Sequence, residues 1–229
     1  MADERGRAFL KSRGISEEVA WSLQLGLTTK NFSAASKPQL ALCIPRFDQQ
    51  GKLLGVKYRA LEPQDKGSKW LQEAGSAADF LFAPMRPKTD VLFIFEGELD
   101  CALAQSLGVD AAAYFGTAGV PTGNPSARFL ASVAAIKERG QRIVIVPDAD
   151  DVGRAAAVRL QHYLDSAGVE YLPDGIKDLG ELWKRDAQAA EQWLAKVASK
   201  PAERFESHGV LGDPQAHTES ELNENATKQ

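Results

Sequence analysis

The sequence predicts an α/β protein in which a mostly parallel central sheet, flanked by helices, follows a small α+β subdomain. From Val91 onward, short apolar runs alternate with helical segments, which is typical of βαβ units. Before that point, two apolar runs flank a turn-like segment, which is typical of an antiparallel hairpin. We therefore expect an N-terminal subdomain over residues 1–88, a parallel-sheet domain over 89–199 and a disordered polar tail over 200–229.

Local patterns give the expected elements in chain order. Two short helices fill residues 5–25, and Ser16 caps the second of them. A hairpin follows, with strands at 40–45 and 53–59, whereas residues 66–82 have no clear assignment. The later pattern predicts strand 91–95, a helix ending at 107, strand 111–115, helix 126–139, strand 143–146, helix 153–167, strand 169–172 and one or two helices over 179–198.

Composition and charge exclude several classes of protein. The 229 residues are 44% hydrophobic and 25% charged, which is ordinary for a packed globular chain. A net charge of -4 gives no overall field that attracts nucleic acid, although a local basic patch is compatible with it. No apolar run approaches the roughly 20 residues that span a bilayer, and the N-terminus does not resemble a signal peptide. We expect a cytoplasmic protein that makes no membrane contact.

Acidic residues follow three of the predicted strands, at the point where each strand ends. Glu96 follows the first, Asp148 and Asp150 follow the third, and Asp178 lies beyond the fourth. Because parallel sheets bind ligands beyond the carboxyl ends of their strands, we expect these carboxylates to meet at one edge. Their mutual repulsion calls for a divalent cation. Oxygen ligands without nearby His or Cys favour Mg²⁺ or Mn²⁺, and Mg²⁺ is commonly completed by phosphate oxygens.

The same acids also fit a second interpretation, in which each caps the helix that follows it. Asp151 could cap the helix after the third strand, and Asp178 could cap the last helix. Glu98 alternates away from Glu96 and is expected in solvent. The two cysteines stand in apolar stretches and form no CxxC pair, so we expect no zinc site.

Two spaced motifs resemble a known signature. Glu96-Gly97-x-x-Asp100 after a strand, followed by Asp148-x-Asp150-x-x-Gly153, resembles the TOPRIM signature of bacterial-type primases, type IA and II topoisomerases and certain nucleases. Lys177-Asp178 resembles the Lys-Asp segment of bacterial replicative primases, and Phe115-Gly116-Thr117 resembles their Leu-Gly-Thr loop. The pairing of the two acidic motifs is far more specific than either half.

The resemblance extends upstream, which favours the primases within this group. Phe9-Leu10-x-x-Arg13-Gly14-Ile15-Ser16 resembles the start of the DnaG-like primase catalytic core. Ile44-Pro45 with Asp48-x-x-Gly51-x-Leu53-x-Gly55-x-x-x-Arg59 is similar to its N-terminal subdomain, and Ser68-Lys69-Trp70-Leu71 resembles its Pro-Lys-Tyr-Leu segment. The family's zinc-ribbon and helicase-interacting domains have no counterpart in this sequence. A stand-alone phage or mobile-element primase, or a fragment that works with a partner, is therefore expected.

The resemblance implies roles for the acids and for two ions. Glu96 and Asp148 would bind one Mg²⁺ or Mn²⁺, and Asp148 and Asp150 a second. Asp100 and Asp178 would lie close and assist. Two such ions can activate a primer 3′-hydroxyl and stabilise the pyrophosphate that leaves.

The resemblance also implies a basic surface for the substrates. Arg46, Lys57, Arg59 and Lys69 would hold the single-stranded DNA template and the nucleoside triphosphates. Lys57 and Arg59 share a strand face because side chains alternate with period two, and a solvated hairpin face is an equally good interpretation of this pair.

The sequence thus predicts a primase-like nucleotidyltransferase that synthesises short RNA primers on single-stranded DNA during replication. A replicative helicase or another replication protein could act as a partner in trans. Two alternatives stay open: a TOPRIM-type nuclease that activates water at a similar metal site, and a nucleic-acid-binding module without catalysis.

Overall fold

Two four-stranded sheets organise the chain. The computed structural model describes residues 3–33, 37–48, 50–63, 68–82, 88–116, 119–165 and 167–201. Its elements are α1 (Glu4–Ser12), α2 (Glu17–Ser22), β1 (Gly26–Lys30), β2 (Gln39–Phe47), β3 (Leu53–Ala60), β4 (Trp70–Gln72), β5 (Val91–Phe95), α3 (Glu98–Ser106), β6 (Asp110–Ala113), α4 (Ala127–Lys137), β7 (Arg142–Val146), α5 (Asp151–Tyr163), β8 (Gly168–Val169), α6 (Leu179–Arg185) and α7 (Ala187–Ala198). The predicted tail lies outside the described residues from residue 202 onward, as does Thr117 of the predicted loop motif.

The N-terminal sheet is antiparallel, with strand order β1-β2-β3-β4. The predicted hairpin of β2 and β3 is confirmed, and the Asp48 carboxylate holds its turn by accepting hydrogen bonds from the amides of Gln50 and Lys52. Ser16 caps α2 as predicted, because its hydroxyl accepts from the Val19 amide. The sequence pattern gave no sign of β1 or β4, which are short edge strands that depend on their neighbours for pairing.

The second sheet is parallel, with strand order β6-β5-β7-β8. Side chains of β5 alternate between two cores: Phe93 and Phe95 face one, whereas Leu92 and Ile94 face the other. Helices cover both faces, which explains why the strands are continuously apolar. The predicted strand 169–172 is shorter than expected, since the chain leaves the sheet after the Glu170 amide bonds to the Ile145 carbonyl.

The N-terminal elements share a core with the parallel sheet. Leu10, Leu42 and Ile44 pack in the same cluster as Phe93, together with α3, α6 and α7. Helices α4 and α5 cover the opposite face. The predicted fold class is therefore confirmed, while the domain boundary at residue 88 stays a prediction. Among the described residues, no helix has both the length and the apolar character needed to cross a membrane.

Candidate metal centre

The acidic edge, which we define as Glu96, Asp148 and Asp150, lies beyond the carboxyl ends of two neighbouring strands. β5 and β7 are paired in parallel with Phe95 opposite Val146. Glu96 therefore follows the last residue of one strand directly, and Asp148 follows the last residue of the other after one proline. The topology brings these two acids together as the sequence predicted.

The surroundings of Gly153, in the first turn of α5, show how close Glu96 lies to the segment that carries Asp148. A Cβ at this position would lie 3.2 Å from Glu96 Oε2 and 2.6 Å from the Asp148 carbonyl oxygen. Real Cβ atoms essentially never approach backbone that closely, so any other residue would push the edge apart. The glycine of the predicted motif therefore has a physical reason: it lets Glu96 lie against the segment that carries Asp148.

Asp150 combines two tasks. Its Oδ1 accepts a hydrogen bond of 2.8 Å from the Gly153 amide and so caps α5. Its Oδ2 faces the ammonium group of Lys177 at 3.9 Å. The expectation that Asp151 would be the cap is wrong, because α5 begins one residue earlier than that role requires. Asp151 is the first helical residue, and its side chain is 97% exposed.

Burial and mutual repulsion disfavour the charged forms of these acids. Burial, followed by the charges of Asp148 and Asp150, raises the pKa of Glu96 from 4.5 to about 7. Burial, followed by the charge of Asp178, raises the pKa of Asp148 from 3.8 to about 6. Within the described part of the chain, the buried Oε2 of Glu96 has no hydrogen-bond partner. The electrostatics of the edge therefore favour a positive charge.

Asp100 and Asp178 lie beside one another near the start of α6. Asp178 caps α6 by accepting from the Glu181 amide at 2.7 Å, so its predicted capping role is confirmed. Asp100 Oδ1 accepts from the Gly180 amide at 2.8 Å, and burial together with the charge of Asp178 raises the pKa of Asp100. The capping bonds leave Asp178 Oδ2 and Asp100 Oδ2 for other partners, and the predicted assisting role of both residues stays a prediction.

Lys177 is a member of the centre whose position the sequence did not predict. Its Nζ lies 3.6 Å from Asp148 Oδ2 and 3.9 Å from Asp150 Oδ2. The sequence gave one signal, because Lys177 belongs to the Lys-Asp pair that ends the acidic pattern. The Lys-Asp motif does not predict which carboxylates the Lys177 ammonium group faces.

The structure contradicts the predicted exposure of Glu98. It was expected in solvent, but it is 2% exposed and its Oε2 accepts from Lys57 Nζ at 2.9 Å. Lys57 is itself only 17% exposed, and its ammonium group lies 4.5 Å from the centre of the Trp70 ring. Lys57 of β3 thus reaches the first residue of α3, and this contact takes both side chains largely out of solvent.

The two arginines of the predicted basic surface are buried and do not contribute to a surface. Arg46 is 0% exposed, its guanidinium lies 4.4 Å from the centre of the Phe115 ring, and its three side-chain nitrogens have no hydrogen-bond partner among the described residues. Arg59 is 6% exposed and donates to the carbonyl oxygens of Ala60 and Lys69. Burial lowers the pKa of Arg59 to about 10. Lys69 is the one of the four predicted basic residues that is exposed.

The donor chemistry of the acidic edge fits a divalent cation. Every side-chain donor there is a carboxylate oxygen, the ligand type that Mg²⁺ and Mn²⁺ prefer, and Glu96 offers one buried oxygen that no hydrogen bond uses. As the side chains of the described residues are arranged, no group of three or more His, Cys, Asp or Glu residues could hold a metal ion. Glu96, Asp148 and Asp150 would provide the ligands only after their side chains move closer together than they lie here.

Comparison with known proteins identifies the domain that carries these acids. Residues 93–182 match the model of the Toprim-like family. Over this segment, which is less than half of the chain, the sequence is similar to TOPRIM domains. The match begins within β5 and ends in α6, so it includes the acidic edge, Lys177 and the Asp100–Asp178 pair.

Similarity over most of the chain is to primases. The chain is 28% identical to the DNA primase of Clostridium acetobutylicum over 205 residues, which are 83% of this chain and 32% of that protein. The chain thus spans about a third of this curated relative. The zinc-binding and RNA polymerase domains of Aquifex aeolicus primase match 86% of this chain and 56% of that structure, with a TM-score of 0.63 and 19% identity. The DnaG catalytic domain bound to single-stranded DNA matches 83% of this chain and 74% of that structure, with a TM-score of 0.58 and 16% identity. These structures share the fold of the chain over more than four fifths of its length.

Proposed function

We propose that this chain is a primase-type nucleotidyltransferase that synthesises short RNA primers on single-stranded DNA with Mg²⁺ or Mn²⁺. One observation supports this choice above all. The similarity to primase cores extends over 83% of the chain and so well beyond residues 93–182, whereas the TOPRIM signature by itself is shared with nucleases and topoisomerases. An N-terminal sheet joined to the acidic edge through a common core favours the primase among these classes.

The acidic edge would hold the cations. Glu96 and Asp148 would bind one ion, and Asp148 and Asp150 the second, while Asp100 and Asp178 support them from the start of α6. Bound there, divalent ions would supply the charge that activates a primer 3′-hydroxyl and stabilises the leaving pyrophosphate.

The side chains of the edge couple cation binding to proton release. With a pKa of about 7 for Glu96 and about 6 for Asp148, Glu96 holds a proton part of the time at neutral pH in the cation-free protein. A ligating carboxylate must give up its proton, so cation affinity should rise with pH through this range. As the described side chains are arranged, no three of them could hold an ion, so ligation would require the carboxylate side chains to turn toward a common point.

Substrate contacts are proposed for the surface next to the edge. Lys69 is exposed and would neutralise template or nucleotide phosphates. Trp70 is partly exposed and would contact a base, while the Lys57 ammonium group lies 4.5 Å from the centre of its ring. Arg59 would support this surface from inside, because its buried guanidinium lies 5.4 Å from the centre of the Trp70 ring.

The test is templated synthesis by the full chain. The protein is incubated with a single-stranded DNA template, labelled ribonucleoside triphosphates and Mg²⁺ or Mn²⁺, and the products are separated by size. Short labelled RNA that depends on both template and cation is the expected result. Loss of the template without added nucleotides would instead identify a nuclease. Template binding without either reaction would identify a binding module, and both of these outcomes refute the proposal.

A further inference from the structure

We propose that the ammonium group of Lys177 is a built-in counter-cation of the acidic edge, which competes with a divalent ion for Asp148 and Asp150. The inference rests on the proposed function only in assuming that the edge binds divalent cations. It assigns to Lys177 the control of how tightly they bind. The ammonium group lies 3.6 Å from Asp148 Oδ2 and 3.9 Å from Asp150 Oδ2, the pair to which the second ion is assigned.

The backbone of Lys177 is anchored opposite these two aspartates. Its carbonyl oxygen accepts a hydrogen bond of 2.9 Å from the amide of Ala149, the residue between Asp148 and Asp150. Its amide donates to Glu181 Oε2 at 2.7 Å. Because the chain is held on both sides, the fold itself sets the Lys177 side chain at the aspartate pair. A chance surface contact between long side chains would have no such anchor.

Other carboxylates near Lys177 have partners of their own. Glu181 uses Oε2 for the Lys177 amide and Oε1 for Arg185, at 2.6 Å. Asp150 uses Oδ1 to cap α5, which leaves Oδ2 as the oxygen that faces the ammonium group. A cation that takes Asp148 Oδ2 and Asp150 Oδ2 must therefore displace the ammonium group or share these oxygens with it.

The side chain can leave the aspartates without disturbing the core. It is 59% exposed, whereas Asp148 is 19% exposed, so the ammonium group can move into solvent while its backbone stays hydrogen-bonded. When the ammonium group moves into solvent, Asp148 and Asp150 are free to bind a divalent ion. When it stays, Glu96 is the carboxylate of the edge that remains free to bind one. Repulsion between a bound ion and the nearby ammonium charge would weaken cation binding in either case.

The experiment measures cation affinity with Mn²⁺ alone, without template or nucleotide. Calorimetric titration of the full chain compares the wild type with Lys177→Met, which removes the charge and keeps most of the stem. The matched control is Lys184→Met, because Lys184 is exposed on α6 and the substitution changes the net charge equally. We expect Lys177→Met to bind Mn²⁺ about fivefold more tightly, the size of one solvent-screened charge pair, and Lys184→Met to match the wild type.

Two further readouts separate competition from other roles. Lys177→Arg keeps the charge and should bind Mn²⁺ with wild-type affinity. The gain in Lys177→Met should shrink in 0.5 M KCl to about twofold or less, since salt screens an exposed charge. Unchanged or weaker Mn²⁺ binding by Lys177→Met, or no binding by any variant, would overturn the proposal. A failure of primer synthesis would leave these titrations unaffected and would count against the proposed function alone.

Discussion

Substitution of Glu96 by Gln should abolish primer synthesis and, without divalent cations, make the protein more stable at pH 8. The wild-type carboxylate is ionised at that pH although burial and two neighbouring aspartates oppose its charge. Glutamine has nearly the same shape and no charge, so it removes this cost. It also removes one of the proposed ligands, which is the reason for the expected loss of activity.

The expected increase in the free energy of unfolding follows from the pKa of Glu96. One pKa unit corresponds to about 1.4 kcal/mol, so a rise from 4.5 to about 7 sets an upper limit of roughly 3 kcal/mol. Screening by solvent around the partly exposed edge reduces the expected gain to about 1 to 2 kcal/mol. Below pH 4.5 the group is protonated in both folded and unfolded chains and costs nothing. The cost grows as pH rises to 7 and is complete above it.

The assay is urea unfolding in EDTA at pH 5 and pH 8. Glu96→Gln should exceed the wild type by the stated amount at pH 8 and by much less at pH 5. Glu191→Gln, an exposed substitution on α7, should match the wild type at both. Added Mg²⁺ should stabilise the wild type more than Glu96→Gln. A Glu96→Gln protein that is less stable at pH 8, or whose difference from the wild type does not depend on pH, would refute the reasoning.

Substitutions at Asp148, Asp150 and Lys57, each with a companion variant, test the remaining assignments. Asp148→Asn should lose primer synthesis without losing thermal stability, whereas the control Asp151→Asn, at an exposed residue, should keep both. Gel assays measure the synthesis and calorimetric scans the stability, and an active Asp148→Asn enzyme would contradict the assignment. Asp150→Asn should keep the cap of α5 and lose primer synthesis. Asp150→Ala should lose primer synthesis and also about 1 kcal/mol of the free energy of unfolding. Equal unfolding midpoints in urea for the two variants would rule out the cap. Lys57→Met should lower the free energy of unfolding by about 3 kcal/mol, because it leaves Glu98 buried without its cation, and adding Glu98→Gln should restore part of it. A Lys57→Met protein of wild-type stability that only binds DNA less well would show that the pair has no structural role.

Much of the fold could be predicted because its signals are local. The alternation of short apolar runs with helical segments indicated the parallel sheet, and Ser16 indicated the start of α2. The acidic edge was predictable for a related reason: in a parallel sheet the residues that follow adjacent strands meet at one edge. The position of Glu96 next to Asp148 is therefore a consequence of sequence order and topology together.

The errors have a common cause. Alternation along a strand says which residues share a face, but it does not say which face another element will cover. Arg46, Arg59 and Glu98 are polar, so the sequence placed them in solvent or on a binding surface. All three are buried, each against a different neighbour: Arg46 against Phe115, Arg59 against the carbonyl oxygens of Ala60 and Lys69, and Glu98 against Lys57. The two edge strands, β1 and β4, were missed because pairing with neighbours stabilises them more than their own composition does.

The sequence by itself determined the order of strands and helices from Val91 onward and which carboxylates follow β5 and β7, since periodicity and the residues after each strand are written along the chain. Only the tertiary structure decided that Lys177 faces Asp148 and Asp150 and that Lys57 is paired with Glu98. These contacts join residues far apart in sequence, and their geometry depends on how whole elements pack. A one-dimensional pattern carries no measure of that distance.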